Sequence, residues 1–117
     1  RHLAGIGPVM SDILETLRAQ CRIDTDDDAE DNLLLLYFGA ARKKAENLTN
    51  RKLYDSESDV PEADSYGLVI EDDILLALLL LVGHWFENRE QVNVGNIVTT
   101  FPFGFESLLE PYRLIPL

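Results

Sequence analysis

The chain has 117 residues, of which 46% are hydrophobic, and its 21 acidic and 10 basic side chains give a net charge of −11. This length and composition predict one domain with a real apolar core. The acidic balance argues against proteins that grip nucleic acid by its phosphates or bind anionic membranes, because both need clustered Lys and Arg. The single cysteine, Cys21, excludes an internal disulfide.

The N-terminal residues are separated from the rest of the chain. Residues 1–9 have no long apolar stretch and are interpreted as a remnant of an expression vector, which leaves residues 10–117 as the single domain. The first predicted helix spans residues 11–20, with Ser11 as its N-cap.

A long second helix is predicted over residues 28–50. The aspartates at residues 26–28 are candidate N-caps, and their charge suits the positive end of the helix dipole. Leu35 falls on the polar side of this helix, and Lys44 falls inside its apolar stripe. The stripe consists of Leu33, Leu36, Tyr37, Ala40, Ala41 and Leu48. So wide an apolar face is expected to contact more than one neighbour.

A surface loop and a third helix come next. Turn formers dominate residues 52–68, which predicts a loop with a short strand at each end. The third helix is predicted over residues 71–89, and residues 74–82 are nine consecutive apolar side chains. These cover every side of the helix, so it must be enclosed by the bundle or by another subunit. The apolar run falls short of the ~20 residues that a membrane span needs.

The C-terminal part is expected to be less regular. Residues 91–100 alternate and are rich in Val, Ile and Thr, which predicts a short β-hairpin or an extended arm. Residues 101–104 break the chain, and a short fourth helix spans residues 105–110 until Pro111 ends it. The apolar tail, residues 112–117, must dock on its own core or on a partner. The predicted fold is therefore mainly α, a small four-helix domain with a long second helix and a buried third helix.

The acidic run preceding the second helix was tested as a calcium site. Asp24, Asp26 and Asp28 hold the first, third and fifth positions of an EF-hand-like loop. Ala29 and Leu35 then stand where such a loop needs glycine and a bidentate glutamate. Helix capping is therefore preferred to calcium binding.

Other chemistry has little support in the sequence. His84 and Glu87 lie one helical turn apart, but two ligands are too few for a metal site. A pairing of Cys21 with His84 lacks a third group to orient it, and no nucleophile elbow, phosphate loop or dinucleotide fingerprint occurs. The sequence predicts no catalytic residue, no metal and no cofactor. A small hydrolase using a glutamate and His84 is the weakest alternative.

Several residues instead suit association. Trp85, Phe86, Tyr112 and Arg113 are of types enriched at the centres of interfaces. For Trp85 and Phe86 the competing interpretation is that they fill the core, and the pattern alone favours it.

Two motifs resemble the small head–tail connector family of long-tailed bacteriophages. In residues 74–92 (ILLALLLLVGHWFENREQV) an aliphatic run precedes His-Trp-aromatic-Glu-Asn-Arg-Glu, and residues 102–113 (PFGFESLLEPYR) resemble the family's ending. A helix ending in residues 46–51 (ENLTNR) also fits, where the family often has glycine in place of Asn50. The resemblance covers nearly the whole chain after Met10.

The resemblance implies a structural subunit without a catalytic step. Rings of about a dozen copies would join the portal protein to the next neck or tail-completion protein, with DNA passing through the lumen without specific binding. The protein would lie in the virion neck after assembly in the host cytoplasm, away from any membrane. A ring of acidic subunits would present a repulsive lining to DNA, which agrees with the composition.

The contacts between ring subunits are expected on the sides of the second helix, including Leu35 and Lys44, and on residues 91–100. The tail from Tyr112 onward is expected to dock on the portal protein or on a neighbour. The residues predicted to take part in interactions are Leu35, Lys44, Trp85, Arg89, Val94, Ile97, Phe101, Phe103, Tyr112 and Arg113. The alternative function is a monomeric helical module that binds a partner or has a regulatory role.

Overall fold

Four α-helices make up most of the described chain, as the sequence predicts. The structure, a computed structural model, describes residues 10–24, 26–89 and 103–115. Within these residues the helices are α1 (Met10–Gln20), α2 (Asp31–Thr49), α3 (Asp72–Glu87) and α4 (Phe103–Leu109). The prediction of a mainly α fold is confirmed. The hairpin or arm predicted at residues 91–100 lies outside the described residues.

The capping predictions for the first two helices are wrong. Helix α1 already includes Met10, so Ser11 lies inside the helix. The residue before α2 is Glu30, whose side chain makes no capping hydrogen bond. Asp27 instead accepts a hydrogen bond from the Ala29 N–H at 3.1 Å. Aspartate competes for nearby backbone donors in turns, and here that local bond forms before the helix begins.

The end of α2 follows from Asn50. This residue has φ 61° and ψ 31°, and its N–H donates to the Glu46 carbonyl at 2.8 Å. Asparagine tolerates this left-handed conformation better than most residues, so it can terminate a helix as glycine does. The chain then turns away from the helix axis and enters the segment of residues 52–68.

Two short strands flank the loop, as predicted. Strand β1 (Leu53–Tyr54) pairs with β2 (Leu68–Val69), and the pairing is parallel. Leu68 N–H donates to the Lys52 carbonyl and Ile70 N–H to the Tyr54 carbonyl, at 2.8 and 2.9 Å. Parallel strands need a crossover connection, which the loop supplies together with a 3-10 turn, Glu57–Asp59.

One apolar core joins the helices and the strands. Its fully buried side chains come from every helix, which ties the short elements to the long ones. They are Leu17, Leu34, Ala41, Ala45, Ala77, Leu78, Leu81, Val82, Phe105 and Leu109, all at 0% exposure. None of the helices in the described part of the chain is both long and apolar enough to cross a bilayer.

The bundle of one chain does not enclose α3 on all sides, so the alternative that one side packs on another subunit stays a prediction. Ile74 and Leu78 are buried, but Leu76 between them is 46% exposed. The nine apolar residues exceed what one small bundle can cover, so the outward side meets solvent. Gly83 does allow a close approach: a Cβ placed there would lie 3.1 Å from the Gln20 side chain of α1.

Helix α4 begins earlier than predicted. Phe103 and Gly104 belong to the helix, although they were expected to break the chain. Gly104 is needed there for packing and not for a turn, because a Cβ would lie 2.8 Å from Leu80 Cδ1. The α-helix ends at Leu109, and Pro111 follows within a 3-10 turn, Glu110–Tyr112, in line with its predicted role.

An ion pair connects α1 to the start of α2. Arg18 donates from Nε to Asp31 Oδ1 at 2.9 Å and from Nη2 to Oδ2 at 2.5 Å. The two side chains are only 13% and 19% exposed. This bidentate contact, mainly through the hydrogen bond from Arg18, lowers the pKa of Asp31 below its ordinary value.

The stabilisation from Asp31 is expected to depend on pH. Because its pKa is lower in the folded chain, its contribution is present above about pH 4, the unfolded value, and is lost as pH falls through the folded value. Asp31→Asn should therefore lower the free energy of unfolding at pH 7, and the difference from wild type should shrink towards pH 2. Urea unfolding at both pH values measures this. Asp55→Asn, at an exposed pair with Arg42, is the matched control and should have little effect. A constant Asp31→Asn difference at all pH values would contradict the assignment.

Candidate assembly surface

Helix α2 exposes one continuous side to solvent. Leu36 is 68% exposed, and Gly39, Ala40, Lys43 and Asn47 are exposed beside it. Their spacing of three and four residues places them on one side of the helix. We call these five residues the α2 outer face.

The α2 outer face contains no acidic residue. The two acids of this helix are used elsewhere: Asp31 binds Arg18, and Glu46 accepts a hydrogen bond from the Leu53 N–H at 2.9 Å. In a chain of net charge −11, a strip that holds Leu36, small residues and a lysine is unusual. It differs in charge from most of the exposed loops.

A second exposed apolar residue lies near the start of α3. Leu76 follows Asp72 by four residues and therefore stands beside it, one turn along the helix. Glu71 and Asp72 are both exposed. We call these three residues, Glu71, Asp72 and Leu76, the α3 acidic patch. An apolar side chain is combined here with negative charge, as Leu36 is combined with positive charge on α2.

Neither of the two surfaces is turned towards the core. Helix α2 packs directly against α3, and the rings of Tyr37 and Trp85 lie 5.9 Å apart between centroids. Leu36 is two residues from the buried Leu34, so it points roughly 200° away around the helix, and Leu76 bears the same relation to Ile74. Each surface therefore faces away from the core that the two helices share.

The residues of α2 that face the core differ from those predicted. Leu36 and Ala40 were assigned to the buried stripe but are exposed, and Leu35 was assigned to the polar side but is half-buried against the core. The cause is six consecutive apolar residues, 33–38, whose sequence alone does not define which side of the helix is buried. Lys44 was expected within the apolar stripe and is exposed.

Two other predicted contact residues already have partners inside the chain. Trp85 is 7% exposed and packs on Tyr37, which agrees with the core interpretation. Arg89 lies 3.2 Å from the Glu30 carboxylate, and its guanidinium sits 4.7 Å from the centroid of the Phe86 ring. Arg89 thereby holds the end of α3 close to the start of α2.

The described part of the tail docks on its own chain. The Tyr112 hydroxyl donates to the Asp73 carboxylate. The Leu114 N–H donates to the Thr49 carbonyl at 2.8 Å, and Asn50 Nδ2 donates to the Leu114 carbonyl at 3.0 Å. The tail therefore packs against the end of α2, one of the two docking modes that the sequence left open.

The outer part of the tail stays accessible. Ile115 is 65% exposed, and Arg113 is exposed with its guanidinium 3.7 Å from Glu110. Phe103 begins α4. The remaining predicted contact residues, Val94, Ile97 and Phe101, lie outside the described residues.

The described residues contain no candidate cluster of metal-binding side chains. Among residues 10–24, 26–89 and 103–115, no three His, Cys, Asp or Glu side chains come together as metal ligands would. His84 contributes its carbonyl, which accepts a hydrogen bond from Asn88 Nδ2 at 2.8 Å.

The thiol of Cys21 is expected to react slowly. Burial, with a smaller effect from the charge of Glu87, raises its pKa to about 11. Because the thiolate is the nucleophile, alkylation by iodoacetamide at pH 8 should be roughly 100-fold slower in the folded chain than in urea. Mass spectrometry of timed samples measures both rates. Equal rates would contradict a buried thiol.

The class of protein follows from comparison with known families. Residues 11–113 match the family described as phage gp6-like head-tail connector protein. The chain belongs to this family, which confirms the resemblance seen in the sequence. The family is structural and not enzymatic, and it implies a place in the virion. Neither the comparison with curated proteins nor that with solved structures gives a match.

Proposed function

We propose that this chain forms a ring in the virion neck, where it joins the portal protein to the next neck or tail-completion protein. The observation that supports it most directly is the presence of two separate exposed surfaces, one on α2 and one on α3, in a member of a connector family. The protein assembles in the host cytoplasm and acts without a catalytic step.

The two surfaces have the arrangement that a ring requires. In a cyclic ring each subunit uses two different patches, one towards each neighbour. The α2 outer face and the α3 acidic patch are two different patches and would serve as these two contacts. A ring of about a dozen copies, as in the resemblance above, would close when each contact adds a rotation of about 30°.

The acidic charge suits a channel for DNA. Exposed carboxylates of the loops, such as Asp26 and Glu62, would repel the phosphates wherever they face the lumen. Salt limits this field to about 8–10 Å, so only residues near the channel wall take part. DNA would therefore slide through without specific binding.

Contacts along the axis of the ring would use the ends of the subunit. Ile115 is exposed at the end of the described tail. It is our candidate contact for the portal protein or for a neighbouring neck protein.

Disruption of the gene in its phage tests the connector role. A stop codon early in the gene should leave filled heads and free tails that fail to join, and supply of the wild-type chain from a plasmid should restore tailed particles. Electron microscopy of lysates counts the three species. Normal numbers of tailed particles without the chain would exclude the proposed role.

A further inference from the structure

We infer that the subunit contact in the ring is made by the α2 outer face of one copy on the α3 acidic patch of the next copy. This inference rests on the proposed ring and names the two surfaces that form it. The occupant of the α2 outer face is therefore a second copy of this chain.

Charge complementarity selects this pairing. The α2 outer face carries Lys43 and no acid, while the α3 acidic patch carries Glu71 and Asp72. Contacts between two acidic surfaces of this chain would repel, since the chain has 21 acids and only 10 bases. The α2 outer face has no acid, so the α3 acidic patch of a second copy can dock on it without repulsion.

The apolar residues fit the same pairing. Leu36 and Leu76 are both large and exposed. Leu36 lies on the same side of α2 as Lys43, two turns away, and Leu76 lies one turn from Asp72 on α3. Burying both together in one contact removes apolar area from water, while Lys43 and Asp72 remain at the rim.

Small residues allow the close approach. A Cβ added at Gly39 would meet nothing within 4 Å, so the backbone of α2 is open there. Ala40 beside it is also small and exposed. A side chain from the neighbouring copy, such as Leu76, can therefore approach the α2 backbone next to Leu36.

Charge reversal tests the contact. Lys43→Glu places like charges opposite each other, and so does Asp72→Lys. Each single variant should raise the concentration for half-assembly by more than about tenfold. The double variant Lys43→Glu/Asp72→Lys restores opposite charges and should assemble again. Sedimentation velocity over a concentration series measures the effect.

A mixture of the two single variants gives a stricter test. In an alternating ring, Glu at position 43 of one variant faces Lys at position 72 of the other, and Lys43 faces Asp72 at the next contact. The equimolar mixture should therefore assemble, although each variant alone does not. A variant that had merely lost its fold could not be rescued in this way.

The controls separate the contact from the ring itself. Lys52→Glu and Glu106→Lys change the same charges at exposed positions on other elements and should assemble as wild type does. Circular dichroism checks the folding of each variant, and Glu71→Lys replaces Asp72→Lys if the latter unfolds. If both single variants assemble normally, or if the folded double variant does not recover, this contact is wrong while the ring stands. If wild type itself forms no ring, alone or on a portal, the proposed function fails as well.

Discussion

Phe105→Ala is expected to lower the free energy of unfolding by about 3–5 kcal/mol. Phe105 is 0% exposed and lies on α4, which packs mainly on α3. Its removal leaves a cavity that the seven-residue helix cannot close without losing other contacts. This is a large part of the total stability expected for a domain of this size, about 5–15 kcal/mol.

The measurement is urea unfolding followed by circular dichroism, at a concentration where wild type is monomeric. Leu36→Ala is the matched control, because a side chain that is 68% exposed should contribute within about 0.5 kcal/mol to the stability of the monomer. An unfolding free energy within 1 kcal/mol of wild type for Phe105→Ala would contradict the packing of α4.

Leu36→Asp is expected to abolish ring assembly while leaving the monomer folded. The substitution adds an acid to the α2 outer face, which has none, and takes away the one large apolar side chain of that face. In the proposed ring this acid would face Glu71 and Asp72 of the next copy. The same electrostatic repulsion occurs at every subunit contact in the ring, so the loss of assembly should be complete at micromolar concentration.

Two matched variants identify the cause of that loss. Leu36→Met keeps the apolar contact and should assemble. Leu35→Asp changes the adjacent residue, which is half-buried against the core, and should instead lower the melting temperature of the monomer. Light scattering gives the mass and thermal melts give the stability. Normal rings from Leu36→Asp would exclude the α2 outer face as a contact.

Elements with one dominant local signal could be predicted from the sequence. The long apolar run of α3 indicates a helix. The helix begins at Asp72, among the acidic residues 71–73. The turn formers of residues 52–68 indicated a loop between strands, which the β1–β2 pairing confirms. Asn50, where the resembling family often has glycine, adopts a left-handed backbone that glycine also tolerates.

The direction of the α2 side chains could not be predicted in the same way. Six apolar residues in a row satisfy several helical phases equally, and only the contact with α3 decides between them. Leu36 was therefore assigned to the core, and Leu35 was named as a contact residue in its place. The one available signal was the position of Ala41 and Ala45, which lie on the side of the helix that is buried.

The docking of the tail also depended on tertiary structure. The bond from Leu114 to Thr49 joins residues far apart in the chain, and Tyr112 finds Asp73 only once α3 and the tail are side by side. An apolar tail alone indicates that something must cover it, and the sequence does not specify whether that is the same chain or a partner.

The mass of the purified chain in solution, alone and with assembled portal protein, tests the proposed ring most directly. Light scattering across a concentration series should show a single oligomer at a closed multiple of the 13.2 kDa subunit, or a ring that forms on the portal. A chain that stays at 13.2 kDa at the highest concentration and also fails to bind the portal would contradict the account.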